Sequence, residues 1–452
     1  MHIAERFTVT SGSYIPESHT ITSTSGARVA SELEKLAYAG LCAFVLVLPW
    51  GVDSKIVGGL TLASWIGLIP IGLATLHIFV DKKVRRLCPI HALLLAFTGW
   101  VAASLMWTLD RESTLTRLGT YVQLLIFVWL IWELAPTKGR VQGLIVSYVL
   151  GSGIASVKAI FNYETGWTIS QESGNQWETY RYSVDGINAD ELALILALSI
   201  PMALYLLTAN KNRWIKALCW VLLITGFTAI LLTGTRGALF AAIVGVIIMS
   251  GPTLSRMSRT QRSIGIIVCI ALVSCTMFFL PKTSIDRYLS IGTELTQGTL
   301  THRTVLWAAG LAMFRDHPFL GVGAGAYGHA IVRITDIALI AHNTFISVLV
   351  ELGVVGAILL FILLASMFSS VLRLKNLEKW LWLALLATWA TGACSVTWEN
   401  RKVTWLLFGL VAAQVYAKNT GVFRVRREQP APLFYSTQPE PRPAPFPLTH
   451  RF

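Results

Sequence analysis

The chain alternates long apolar runs with short polar or basic links. A hydrocarbon core of ~30 Å takes about 20 helical residues. Runs suited to crossing it stand at 36–49, 56–80, 88–107, 116–134, 141–161, 189–208, 215–232, 236–250, 263–280, 344–370, 380–398 and 403–417. The pattern predicts an all-α polytopic membrane protein of about twelve transmembrane helices. The first run begins too late for a cleaved signal peptide and reads as the first span.

Most links are short, and two are long: Asn162 to Ile187, and Pro281 to Ala341 between the ninth and tenth spans. Within the second, THRTVLWAAGLAMFRDHP (301–318) predicts a helix stopped by Pro318, apolar but too short to span. GVGAGAYG (321–328) follows, with only a superficial likeness to a nucleotide-binding loop, because no strand precedes it. Three regions are expected: an N-terminal cytoplasmic tail (1–35), a membrane domain (36–418) with its outer loop at about 281–341, and a Pro- and Arg-rich cytoplasmic tail (419–452) expected to be disordered.

Composition agrees with the pattern. Apolar residues make up 54% of the chain and charged residues 13%, against roughly 25% charged in an average soluble domain. The basic clusters DKKVRR (81–86), PTKGR (136–140), NKNRWIK (210–216), PTLSRMSRTQR (252–262) and RLKNLEK (373–379) fall in alternate links. The positive-inside rule makes those links cytoplasmic, and both termini with them. The net charge of +13 is then a matter of topology, and no nucleic-acid partner is expected. The six cysteines lie in or against apolar runs without a CxxC pattern, so neither a disulfide nor a zinc site is expected.

Polar residues that break the apolar pattern are the candidate chemistry. Arg236 sits in a tight hairpin, TGTRG, ahead of a short apolar run. It reads either as a snorkelling interfacial arginine or as a guanidinium in a polar pocket. Arg303 opens the outer-loop helix and is either a solvated loop arginine or part of a site. His342 and Asn343 begin the tenth span: Asn343 suits a helix cap, and His342 is either structural or a base. Glu351 lies about two turns deeper and needs a partner there. Asn188 and Glu191 in NADELA predict a capping box for the sixth span. Tyr180, Arg181 and Asp185 just before it are polar and suited to contacting sugars.

Three stretches in order, TGTRG, HRTVLWAAG with DHPFLGVG, and AHNTFISVLVELGVVG, resemble the O-antigen ligase and polymerase superfamily of lipopolysaccharide assembly. The resemblance is close in the C-terminal half and rests on span count in the N-terminal half. It implies a functional set of Arg236, Arg303 and His342, and a membrane glycosyltransferase of the bacterial inner membrane whose active site faces the periplasm. The implied donor is a glycan on undecaprenyl pyrophosphate and the implied acceptor is lipid A-core, with membrane lipids as surroundings. The implied reaction is inverting glycosyl transfer, with His342 as base and Arg236 and Arg303 as a pyrophosphate clamp.

The residue types suit that chemistry. Negative charge develops on the leaving pyrophosphate, and planar, permanently charged guanidiniums can balance it. The sequence carries no DxD or HExxH pattern, so no metal or other cofactor is expected. Asn343, Glu351, Arg181, Tyr180 and Asp336 stand as supporting residues, with Glu351 and Asp336 as alternative bases. A repeat-unit polymerase and a protein O-oligosaccharyltransferase are the near alternatives. The oligosaccharyltransferases commonly carry a large outer C-terminal domain, whereas here WENRK (398–402) joins the last two spans, which favours a ligase. A lipid-linked glycan transporter is the alternative of another class, with broken helices and a repeat between halves as its expected signs; the sequence displays neither.

Overall fold

The computed structural model describes residues 20–417 apart from 52–54, 58–59, 167–180, 185, 261, 264–273, 275–279, 293–302 and 337. The chain is an all-α polytopic membrane protein. Its helices are α1 (Thr20–Val47), α2 (Leu62–Asp81), α3 (Pro89–Ala103), α4 (Arg111–Leu134), α5 (Lys138–Glu164), α6 (Ala189–Ala209), α7 (Arg213–Thr233) and α8 (Arg236–Leu254). Then come α9 (Lys282–Leu289), α10 (Arg303–Asp316), α11 (Tyr327–Thr335), α12 (Thr344–Leu372), α13 (Asn376–Ala393) and α14 (Lys402–Val415).

Among the described residues, 8 helices are long and apolar enough to cross a membrane: α2 to α8, with α3 extended to Met106, and α12. The expected spans in α1, α13 and α14 are helical but fall short of that length or hydropathy, and most of the expected span at 263–280 lies outside the described residues. Helix α14 is apolar but only 14 residues long, whereas tryptophan and polar residues dilute the hydropathy of α13; Trp382, Trp389 and Trp405 are buried.

Two boundaries differ from expectation for physical reasons. Helix α1 begins at Thr20, inside the segment read as a tail. Ion pairs stabilise its polar portion: Lys35 with Glu32 (2.7 Å), and Glu34 with Arg140 of α5. The span expected from 56 begins instead at Leu62, because KIVGGLT sets β-branched residues around a Gly-Gly pair, a hairpin signal. Lys55–Val57 pairs antiparallel with Leu60–Thr61, and Thr61 caps α2.

Basic links gather at one end of the bundle. Lys138 pairs with Glu378 across two links (2.7 Å), and Arg85 donates to the carbonyl of Tyr416 (2.8 Å). Helix α6 is buried along most of its length, enclosed by α5, α7, α8 and α13. A helix apolar all round belongs at the centre. Its first turn therefore stands in the middle of the opposite end, where the outer-loop helices collect. There α10 packs on α11 and α12 around Leu306, Tyr327, Ile331 and Val350.

Candidate active site

The TGTRG hairpin is made by its glycines and by its neighbours. Gly234 ends α7 in the left-handed conformation (φ 63°), which glycine adopts without strain. Thr235 begins α8, yet its side chain makes no capping bond. Its hydroxyl instead donates to Oδ1 of Asp190 (2.9 Å) in the first turn of α6. Gly237 lies against Ser395, with no room for a Cβ.

Asp190 is the hub. Arg181 binds Oδ1 through Nη2, and also donates to Oγ1 of Thr235 (2.7 Å) and the carbonyl of Thr233 (2.9 Å). Arg303, at the start of α10, donates to Oδ2 of the same carboxylate (3.3 Å). Arg236 turns to α9 and donates to the carbonyl of Arg287 (2.7 Å) and the hydroxyl of Ser290 (2.7 Å). Arg287 in turn donates to the carbonyl of Gly234 (3.3 Å). Tyr288 on α9 is within electrostatic reach of Arg181, Arg287, Arg236 and Asp190. Burial pushes its phenol up, although the three cations oppose that shift. Four arginines therefore collect around one hairpin.

Helix α10 also reaches the histidine. One turn after Arg303, Trp307 donates its indole N–H to the carbonyl of Ala341 (2.8 Å). The next residue, His342, holds φ at 47°, a left-handed conformation that costs a residue with a side chain free energy. Asn343 then caps α12, its Oδ1 accepting from the amides of Phe345 (3.0 Å) and Ile346 (3.1 Å). Its Nδ2 donates to the carbonyl of Cys394 (3.1 Å), beside the Ser395 that abuts Gly237. The turn between α13 and α14 thus links the hairpin to the helix start that carries His342.

Glu351 belongs to a neighbouring assembly. Its Oε2 accepts from the amide of Gly325 (2.7 Å), and Ser347 donates to Oε1 (3.4 Å). The glycine-rich stretch is a backbone clasp. Val322 donates to the carbonyl of Val350 (3.0 Å), Gly323 to that of Glu351 (2.9 Å), and Val354 to that of Pro318 (2.9 Å). Helix α12 is broken at Gly353 (φ 67°, ψ −169°) to make this pairing. The break is occupied by the Pro318–Gly325 backbone, which also accepts from the amide of Leu109 in the α3–α4 link at Val322 (2.9 Å) and from the hydroxyl of Thr114 on α4 at Ala324 (2.8 Å).

Beneath the clasp, Arg117 of α4 pairs with Glu399 (3.1 Å) in the α13–α14 turn. Burial pushes the Glu399 carboxyl up to about 7; Arg117 opposes that shift, while the nearby Glu351 adds to it.

The remaining expected residues are dispersed. Asp336 is exposed at the end of α11 with φ 57°, and Tyr180 and Asp185 lie outside the described residues. The capping box at α6 is only half formed. Asn188 accepts from the amide of Asp190 (2.8 Å), but Glu191 pairs with Arg401 (3.3 Å). Sequence reasoning passed over Asp190, Arg287 and Glu399. An acid in the first turn of a helix is ordinarily read as a complement to the helix dipole, and only the fold brings two arginines to it.

Residues 220–361, which hold the hairpin, α10, the clasp and the start of α12, match the family model described as O-Antigen ligase. This part of the chain is similar to the O-antigen ligase family. An O-antigen ligase of Pseudomonas aeruginosa is 24% identical over 344 residues, covering 72% of this chain and 70% of that protein. The teichuronic acid biosynthesis protein TuaE of Bacillus subtilis is 22% identical over 409 residues, covering 81% of this chain and 80% of that one. Similarity to these two proteins therefore extends well into the N-terminal half. The chain is a membrane glycosyl-transferring protein of cell-surface polysaccharide biosynthesis.

Proposed function

We propose that the chain is an O-antigen ligase that moves a glycan from undecaprenyl pyrophosphate to lipid A-core at the periplasmic face of the inner membrane. The observation that carries this reading is the span of α10. Its first residue, Arg303, meets the arginine hairpin through Asp190, and Trp307 one turn later holds the backbone before His342. The helix thus ties together a cationic site and a titratable imidazole at one end of the bundle.

In this reading the guanidiniums of Arg236 and Arg303 bind the pyrophosphate. They balance the charge that develops as the bond from sugar C1 to phosphate oxygen breaks. His342 accepts the proton of the attacking acceptor hydroxyl. Attack from the face opposite the leaving group inverts the anomeric centre, and no divalent cation takes part. The basic links lie at the far end of the bundle, which supports a cytoplasmic location for them and for both termini.

The reading is tested by the lipopolysaccharide ladder of a deletion strain. Loss of the whole ladder with accumulation of lipid-linked polymer is the expected result. Bands of one repeat unit would instead indicate a repeat-unit polymerase.

A further inference from the structure

We propose that Asp190 is a positioning residue for Arg303, clamping the guanidinium of the outer helix α10 to the TGTRG hairpin. The inference rests on the reading of Arg303 as a pyrophosphate ligand.

The two carboxylate oxygens divide the work. Oδ1 faces the interior and takes Arg181 and the Thr235 hydroxyl, both held by buried backbone. Oδ2 faces Arg303 at the longer distance of 3.3 Å. The Arg181 side chain is 7% exposed and that of Arg303 is 23% exposed. Arg181 is thus the fixed counter-charge and Arg303 the arm at the edge of the site.

Charge balance explains why one carboxylate meets two guanidiniums. A buried carboxylate opposite Arg303 alone would cancel the charge that the donor needs. With Arg181 behind it, the three groups together carry one net positive charge, so Arg303 is oriented while an anion is still attracted. Placement at the second position of α6 helps, because the helix N-terminus favours the ionised carboxylate. Helix α6 is the most enclosed element near the site, so its first turn is a rigid anchor for a loop helix.

The test uses purified full-length protein in detergent and measures both binding of undecaprenyl pyrophosphate and glycan transfer. Asp190→Asn keeps an oxygen for Arg181 and Thr235 but presents an amide to Arg303. Donor binding is expected to weaken at least about tenfold, the scale of one charge-assisted hydrogen bond, with folded yield retained. In an Arg303→Ala background, Asp190→Asn is expected to add nothing, because the two residues act as one unit. Independent, multiplying losses overturn the proposal, as does normal binding by a folded Asp190→Asn protein.

An Arg181 left buried without its carboxylate is a lone buried charge, which is enough to prevent folding. In that event the pair Arg181→Gln with Asp190→Asn, which buries no lone charge, replaces the single variant. Normal donor binding by that pair overturns the proposal, and so does its failure to fold, since a positioning carboxylate is dispensable once its counter-charge is gone. If Arg303→Ala alone leaves binding unchanged, the pyrophosphate reading of Arg303 fails first and takes the clamp with it.

Discussion

The indole of Trp307 donates a hydrogen bond to the carbonyl of Ala341, 2.8 Å away, and so fixes the backbone one residue before His342. His342 is held at φ 47° while Asn343 satisfies two amides at the start of α12. Adjacent residues thus have separable tasks. Loss of the Asn343 cap is expected to cost on the order of 1 kcal/mol and to lower the amount of folded protein. His342→Ala is expected to accumulate normally and bind donor, yet transfer glycan at least about a hundredfold more slowly, the lower range of general acid-base assistance. The wild-type rate should fall as pH drops and the imidazole becomes protonated. Turnover of purified variants, normalised to folded protein, checks this, and near-normal turnover by His342→Ala removes the residue from the chemistry.

The arginines are expected to resist conservative replacement. Arg236 spends two nitrogens on Arg287 and Ser290, and a guanidinium has further donors in its planar fork for a phosphate. An ammonium has neither that fork nor that reach. Arg236→Lys and Arg303→Lys should each lower ligation in cells by at least about tenfold at matched protein level, on the scale of one lost charge-assisted hydrogen bond. Wild-type ligation by either lysine variant reduces that residue to an interfacial anchor.

How much of this was legible beforehand depended on the range of the interactions. Hydrophobic runs found the 8 helices long and apolar enough to cross a membrane, because burial in lipid acts locally on every residue of a helix. The outer-loop helix was legible for the same reason, with Pro318 marking its end. The start of α1 was missed because its N-terminal portion is polar in sequence, and the pairing of Glu34 with Arg140 of α5 further along it is a contact that no local pattern announces. Asp190 was missed because nothing local distinguishes it from an acid complementing a helix dipole. The clasp was missed because Val322 and Gly323 pair with a helix interior about thirty residues away, and no periodicity announces a backbone pairing of that kind.

The clasp gives a prediction about the fold. Gly353 combines φ 67° with ψ −169°, a region that only glycine occupies readily, and a Cβ there would run into the backbone of Phe319. Gly353→Ala should therefore remove most folded protein from the membrane. Gly72 is an internal comparison, since a Cβ there meets nothing and alanine suits a helix better than glycine. Gly72→Ala should leave the amount of folded protein unchanged or slightly raised, as read by a fluorescence-tagged chain on size-exclusion chromatography.

The last prediction concerns pH and the Arg117–Glu399 pair. Burial raises the Glu399 carboxyl to about 7, with Glu351 adding to the rise and Arg117 opposing it, whereas in an unfolded chain a glutamate titrates near ~4.3. Between those values the folded protein holds a proton that the unfolded chain has released. Stability from this group is therefore greatest below the unfolded value, declines as pH rises toward 7, and is lost above it. Glu399→Gln keeps the size and the acceptor oxygen facing Arg117 but cannot ionise. The variant should flatten the dependence of thermal unfolding on pH between about 4.5 and 7, while leaving any steepness due to His342 in the rate profile. If Glu399→Gln instead leaves the wild-type dependence across that window unchanged, Glu399 is ionised throughout it by Arg117, and the ion pair outweighs burial.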